Sequence, residues 1–252
     1  MISSPIFCAG TTPAVRYARE HLKFLGFPVS DSLQWNTGHL LLDVPSFRAG
    51  SSFSNEENID TFLSSLPPGI RIWGGNLQHP SLKRFRTVDL LQIESYLFRN
   101  AAITSQCTIP IAESMLKQPW KSTHALIIGW GRIGKHLLHD LSRLGCDVTV
   151  AVRSGADRKN LEQAGFTVLD TGKLSQQLPC FHLIINTVPA PVLSDADCVN
   201  CTDTIKIDLA SQKGISCADV IWARGLPGRC APEQSGKLIA NTMANFLKEE
   251  LK

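Results

Sequence analysis

The stretch ALIIGWGRIGKHLL, Ala125 to Leu138, decides how this chain is read. An apolar run ends at Ile128, and three glycines follow in the spacing G-x-G-x-x-G: Gly129, Gly131 and Gly134. Ile133, Leu137, Leu138, Leu141 and Leu144 then recur at helical spacing until Gly145. In a strand–turn–helix unit the first glycine permits the tight turn, the second lets the backbone approach a pyrophosphate, and the third lets helix and strand pack closely. The helix start adds unpaired N–H groups and a partial positive charge. A second buried strand, CDVTVAV (Cys146 to Val152), follows at the right distance, so the context that the motif needs is present. Gly129, Gly131, Arg132, Ile133 and Gly134 are expected to border a dinucleotide; the alternative is a tight turn with no ligand.

The end of that second strand bears on which dinucleotide. An NAD site usually carries Asp or Glu there, on the ribose hydroxyls. This chain has Arg153 and Ser154, with Arg158 and Lys159 close behind. A guanidinium pairs with a 2′-phosphate through two hydrogen bonds, whereas a carboxylate repels it. NADP is therefore expected over NAD, with Arg153, Ser154 and Arg158 at the adenosine end; Arg153 as a plain surface charge is the alternative.

Working outward, later apolar runs FTVL, HLIINTV, IKIDLA and DVIWA extend the second half as strands, and EQSGKLIANTMANFLKEEL reads as a closing helix. In the first half PIFCAG, HLLLDVP and IRIWGG read as strands. TPAVRYAREHLKFLG reads as an amphipathic helix capped by Thr11 or Thr12 and stopped by Gly26, and NIDTFLSSL as a short helix. Residues 31–38 and SFRAGSSFSNEEN (46–58) read as loops. TVDLLQIESYLFRN carries a helical stripe at Leu90, Ile93, Tyr96 and Leu97, and helix is expected to resume after Pro110. The expected fold class is α/β: a Rossmann-type doubly wound parallel sheet with a second, smaller flavodoxin-like α/β domain. The expected division is a small N-terminal domain over 1–100, a helical hinge over 101–120 and the Rossmann domain over 121–235. A final helix over 236–252 would pack on the N-terminal domain or on a dimer partner.

Composition narrows the function. A formal charge of +3 and the lack of any Lys/Arg block argue against nucleic acid. No apolar run reaches membrane-spanning length, and MISSPIFCAG lacks the features of a signal peptide, so a cytoplasmic enzyme or binding protein is expected. Of the eight cysteines, Cys8, Cys146 and Cys180 sit in or beside apolar runs and read as small reduced hydrophobes. Cys198 and Cys201 have the spacing of a metal or redox pair but lack a second pair or nearby histidines, so they read as a loop coincidence.

GWGRIGKHLLHDLSRLGCDVTVAVRS, IINTVPAPVLS, IDLAS and ARGLPGRCAPEQSGKLIANTM together resemble the family of the dipicolinate synthase A subunit, in order and spacing, across about residues 100–248. The block GLPGRCAP is the most specific piece, and the first half looks like a shortened form of that family's N-terminal domain. More distantly the chain resembles D-2-hydroxyacid dehydrogenases. The resemblance implies oxidation of a dihydrodipicolinate-level precursor to pyridine-2,6-dicarboxylate, an acid of bacterial endospores. It also implies pairing with a flavoprotein-like B subunit, and homo-oligomerisation is expected.

Open α/β sheets bind ligands beyond the carboxyl ends of their strands. Thr187, Val188 and Pro189 of NTVP are expected along the dinucleotide toward its nicotinamide end. Leu209 and Ala210 of DLAS are also expected at the cofactor, with Ser211 facing nicotinamide or substrate. The glycines of GLPG (Gly225 to Gly228) would admit a ligand to backbone N–H groups. A small dicarboxylate substrate needs cations, and Lys213, Arg229, Arg16 and Arg48 are candidates; each could equally be a solvated surface charge. Asn100 and Thr104 match hinge positions that the resemblance places near the interdomain cleft, as candidate substrate contacts. Two departures stand out: Gln212 follows DLAS where the family tends to carry arginine, and Gln106 and Cys107 replace a Glu-Gly pair. No catalytic acid or base is assigned. The last histidine is His182, which argues against a 2-hydroxyacid dehydrogenase with its late catalytic histidine. Alternatives are a dehydrogenase for another small carboxylate, and a non-catalytic nucleotide-binding or redox-sensing protein.

Overall fold

In the computed structural model, which describes residues 4–47, 59–199 and 201–250, every strand pairs in parallel with its neighbours. The chain divides into two compact units, Met1–Asn100 with Pro227–Lys252, and Ala101–Leu226.

The first unit contains strands β1 (Ile6–Cys8), β2 (Val29–Ser30), β3 (His39–Leu41), β4 (Arg71–Gly74) and β5 (Arg86–Asp89) in the order β2-β1-β3-β4-β5. That is the flavodoxin-like order for a doubly wound sheet. Helix α1 (Pro13–Phe24) buries Ala14, Val15, Ala18 and Leu22 at helical spacing, with proline at its first turn. Thr12 is its N-cap, but the hydroxyl donates to Asp43 Oδ1 at 2.7 Å instead of capping the helix. Helix α2 (Ile59–Ser64) contributes Leu63 to a core with Leu40, Leu42, Ile70, Ile72 and Leu82.

Residues 86–89 depart from the helical reading of TVDLLQIESYLFRN. They form the edge strand β5, paired in register with Arg71–Gly74. The Asp89 carboxylate ends it by accepting the N–H groups of Asn76, Leu77 and Leu91 at 3.1, 2.9 and 2.9 Å. Helix α3 starts only at Glu94 and runs unbroken to Glu113, through Pro110. Proline removes one N–H bond there, but three residues from the helix end little ladder remains to be lost.

The second unit contains β6 (His124–Ile128), helix α4 (Arg132–Arg143), β7 (Asp147–Val152), helix α5 (Gly155–Gln163), β8 (Thr167–Asp170), β9 (Leu183–Asn186), helix α6 (Asp195–Cys198), β10 (Ile205–Asp208) and β11 (Ile221–Trp222). Their order is β11-β10-β9-β6-β7-β8, two three-strand halves meeting at β6 and β9. This is the Rossmann order, whose switch point opens a crevice at the carboxyl ends of the two central strands. Leu126, Ile127, Ile128, Ile184 and Ile185 are fully buried, because both sheet faces are covered. GLPG is not an open glycine loop, since helix α7 (Leu226–Cys230) takes up most of it.

The closing helix α8 (Pro232–Glu249) belongs to the first unit and lies against α1. A Cβ at Gly236 would fall 2.5 Å from the carbonyl oxygen of Ala14, so only glycine permits that approach. Further along, Phe246 meets Trp73 edge-on with centroids 5.6 Å apart, and Arg71 pairs with Glu250 at 2.5 Å.

The cysteines differ in part from expectation. Cys198 is disulfide-bonded to Cys217, with Cα atoms 6.3 Å apart, which is inside the range a disulfide spans. Cys201 stays a buried free thiol, so the two residues of CVNC do not act as a pair. Cys180 is exposed rather than packed. Burial pushes the thiols of Cys8 and Cys146 up to about 12 and about 11, consistent with inert packing groups.

Candidate functional site

The three glycines of the opening stretch divide their roles in space. Gly129 has φ of +105°, and a Cβ there would fall 2.5 Å from Thr187 Oγ1. A Cβ on Gly134 would fall 2.2 Å from the Gly129 carbonyl oxygen, so the start of α4 lies directly on the turn. Around Gly131 a Cβ would meet nothing within 4 Å. Gly131 is also the N-cap of α4, with no side-chain cap and no acidic residue in the first turn. The first N–H groups of a helix have no partner within it. Here they begin beside open space, an arrangement that suits an anion.

Beside this turn the ends of β9 and β10 are fixed by buried polar groups. Thr187 donates both its N–H and its hydroxyl to the Ile128 carbonyl, at 2.9 and 3.0 Å. Asn186 Nδ2 donates to Val188 O and to Asp208 Oδ1, both at 3.0 Å, while Asn186 Oδ1 accepts the Val188 N–H at 2.9 Å. Asp208, fully buried, also accepts the N–H groups of Ala210, Gly214 and Ile215 at 3.0, 2.7 and 2.9 Å. Unmade hydrogen bonds in such a place are costly, so the strand ends hold one shape. Toward the amino end of β10, the fully buried Lys206 spends its three donors on Cys201 O, Thr204 O and Asp219, at 2.8, 3.0 and 2.7 Å.

The turn, the end of β7 and the segment after β9 border an open cavity of about 540 Å³. It is lined by Gly129, Trp130, Val152, Arg153, Ser154, Asp157 and the run Val188–Val192. Its volume is within the range of small-molecule sites, and Arg153, Ser154 and Asp157 set polar groups beside an apolar wall of Trp130, Val152 and Val188–Val192. The residues present fit a dinucleotide: an uncapped helix start, a glycine with free space beside it, and a cation at the end of β7.

Of the residues expected at the cofactor, Gly129, Arg153, Ser154, Val188 and Pro189 line this cavity. Arg158 does not. Its Nη1 donates to Val152 O and Arg153 O at 3.1 Å and pairs with Asp170 at 3.0 Å, so its charge closes the end of β7 against β8. Leu209 and Ala210 are buried and do not line the cavity either; Ala210 O accepts from Trp222 Nε1 at 3.0 Å. Gly131, Arg132, Ile133 and Gly134 form the start of α4 and Thr187 follows the end of β9; none of the five is among the lining residues.

Thr104, Ser211 and Lys213, which belong to the same unit, are not among the lining residues. Ser211 and Lys213 are exposed on the loop that Asp208 gathers, and Thr104 is buried in α3, its carbonyl accepting from Thr108. In the first unit Asn100 is half-buried and Arg16 and Arg229 are exposed; Arg48 and most of SFRAGSSFSNEEN lie outside the described residues. Gln106 and Gln212 are exposed, and Cys107 is buried.

Trp130, Val152, Asp157, Ala190, Pro191 and Val192 line the cavity without having been anticipated, and two of them bring chemistry of their own. Trp130 fills the first variable position of the glycine turn, with Lys135 Nζ 5.7 Å from its ring centre. Asp157 stands in the first turn of α5, three residues after the N-cap Ser154. The S-x-x-D spacing was a legible cap signal, but nothing in it says that the carboxylate faces a cavity.

Comparison with known proteins gives a consistent picture. No protein-family model matches the chain. The dipicolinate synthase A subunit of Bacillus subtilis (strain 168) is 27% identical over 214 residues, covering 78% of this chain and 72% of that protein. The crystal structure of the dipicolinate synthase A subunit from Bacillus halodurans superposes with a TM-score of 0.82 at 19% identity, covering 97% of each chain. A D-isomer specific 2-hydroxyacid dehydrogenase from Lactobacillus delbrueckii ssp. bulgaricus, in its NAD complexed form, gives 0.60 at 11% identity, covering 98% of each. The sequence relative bears out the resemblance to the dipicolinate synthase A subunit. The two structures bear out the α/β fold. Together they support an oxidoreductase.

Proposed function

We propose that this chain is an oxidoreductase that binds a nicotinamide dinucleotide, NADP in preference to NAD, in the cavity at the end of β6. Its reaction is the one implied by the similarity to the dipicolinate synthase A subunit: oxidation of a dihydrodipicolinate-level precursor to pyridine-2,6-dicarboxylate. The observation that carries the reading is the glycine turn whose uncapped helix start and open Gly131 adjoin a cavity with Arg153 at its edge.

When bound, the nicotinamide supplies a two-electron acceptor. The chain supplies the placement. The first N–H groups of α4 hold the pyrophosphate, and Gly131 leaves the room for it to approach. The Arg153 guanidinium and the Ser154 hydroxyl take the 2′-phosphate. Val188 and Pro189, braced from behind by Asn186 and Asp208, form the wall along which the dinucleotide extends. The substrate ring gives up one hydride and one proton. Since the product is aromatic, that removal is downhill, and orientation with electrostatic placement carries most of the rate. A flavoprotein-like B subunit, assembly into a homo-oligomer, and Ser211, Lys213, Arg229, Asn100 and Thr104 as substrate contacts belong to the same reading.

The test is to supply the purified protein, alone and with a candidate B subunit, with the lysine-pathway precursor and NADP, and to follow pyridine dicarboxylate absorbance. Product with NADP supports the reading. Bound NADP without product in either mixture would instead favour a nucleotide-binding protein that does no chemistry.

A further inference from the structure

The adenosine end of the cavity holds two opposite charges that do not neutralise each other. Arg153 and Asp157 both line it, and among the described residues no ion pair joins them. Neither side chain has another charged partner among those residues. Arg158, one residue on from Asp157, is already committed to Asp170 and to two carbonyl groups, so it does not offset the carboxylate. Ser154, between the pair, accepts the Asp157 N–H at 3.3 Å, which leaves its own hydroxyl proton free to donate into the cavity.

The geometry points to Asp157 as a specificity-determining residue: its carboxylate receives the hydroxyls of an adenosine ribose, and so holds NAD as a ligand against the preference that Arg153 creates. This rests on the reading of the cavity as a dinucleotide site. The usual acidic residue at the end of the second strand is replaced here by Arg153, and α5 returns a carboxylate to the same cavity within its first turn. A carboxylate is acceptor-only, so it matches a ribose whose two hydroxyls both donate. A 2′-phosphate carries about −1.5 to −2 charge at neutral pH and finds Arg153 attractive and Asp157 repulsive. Removing the carboxylate charge therefore acts on the two ligands in opposite directions. That separates recognition from helix capping, because a weakened α5 would depress both affinities together.

The experiment measures dissociation constants of NADP, NAD, 2′,5′-ADP and ADP by calorimetry for the wild-type protein, for Asp157→Asn and for Asp157→Glu, with thermal melting to confirm folding. Asp157→Asn is expected to tighten NADP and 2′,5′-ADP by roughly 3- to 10-fold and to weaken NAD and ADP by a similar factor. Asp157→Glu, which keeps the charge, is expected to keep the wild-type ratio. If Asp157→Asn moves all four constants the same way, or leaves the NADP-to-NAD ratio within about twofold, the role of Asp157 is overturned while the dinucleotide site stands. If the wild-type protein binds none of the four, the dinucleotide reading itself fails, and the role of Asp157 falls with it.

Discussion

Substituting alanine at two glycines of one turn should give opposite signatures. At Gly134 the added Cβ would sit 2.2 Å from the Gly129 carbonyl oxygen, against ~3.5 Å for an ordinary contact. Both atoms are fixed to backbone, so no side-chain rotation relieves the overlap, and α4 must shift by about 1 Å from β6. Overpacking of this kind costs about 1–3 kcal/mol, which for a chain of this size is a fall of roughly 2–12 °C in melting temperature. The first N–H groups of α4 move with the helix, so dinucleotide affinity falls as well. At Gly131 the added Cβ would meet nothing within 4 Å. Stability should change by no more than about 1 kcal/mol, the scale of an N-cap change. The methyl nevertheless occupies the space through which the pyrophosphate approaches. Losing one or two charge-assisted hydrogen bonds there, at about 1.5–3 kcal/mol each, weakens binding by at least roughly 10-fold. The assay is thermal melting beside calorimetric titration with NADP and NAD for both variants. Wild-type affinity in Gly131→Ala would refute the assignment of the open space to ligand, and a wild-type melting temperature in Gly134→Ala would refute the packing role.

Three further outcomes are expected. Arg153→Ala should weaken NADP by about 1.5–3 kcal/mol, roughly 10- to 150-fold, and leave NAD within about threefold, as read by the same titration; equal losses for both would remove the 2′-phosphate assignment. Asp208→Asn leaves one acceptor oxygen and two donors facing three N–H groups and the Asn186 amide, so it should cost about 2–4 kcal/mol in denaturant unfolding. Reducing the Cys198–Cys217 bond, which closes a segment 19 residues long, should lower stability by about 3 kcal/mol. Alkylation mapping before and after reduction should find those two thiols only afterwards.

Much of the second unit is legible in the sequence because its strands are buried on both faces. Leu126–Ile128 and Leu183–Ile185 read as continuous apolar runs that no surface segment would carry. The first unit is harder. β2 has only two residues, and the RTVD of β5 runs into a helical stripe, so its strand character comes from pairing with Arg71–Gly74 and not from its own pattern. Strand order is a matter of contacts far apart in sequence, which periodicity does not encode. Within the site the glycine spacing carried its own mechanism. The choice between Arg153 and Arg158 did not, since two arginines five positions apart look alike until one is seen folded back on Asp170. Disulfide connectivity is likewise invisible to spacing, and Cys198 passes over its near neighbour Cys201 for Cys217.

The first unit is assembled from both ends of the chain, with Ala101–Leu226 inserted between its two parts. This sets which unit can complete itself alone. The inserted unit has every strand of its sheet between Ala101 and Leu226, whereas the apolar stripe of α1 is covered by α8, made more than two hundred residues later in the chain. The inserted unit therefore has all it needs to fold without the closing helix, and the amino-terminal part of the first unit does not. A chain truncated just past Leu226 should keep a protease-resistant core in the inserted unit and carry an exposed, cleavable amino-terminal segment.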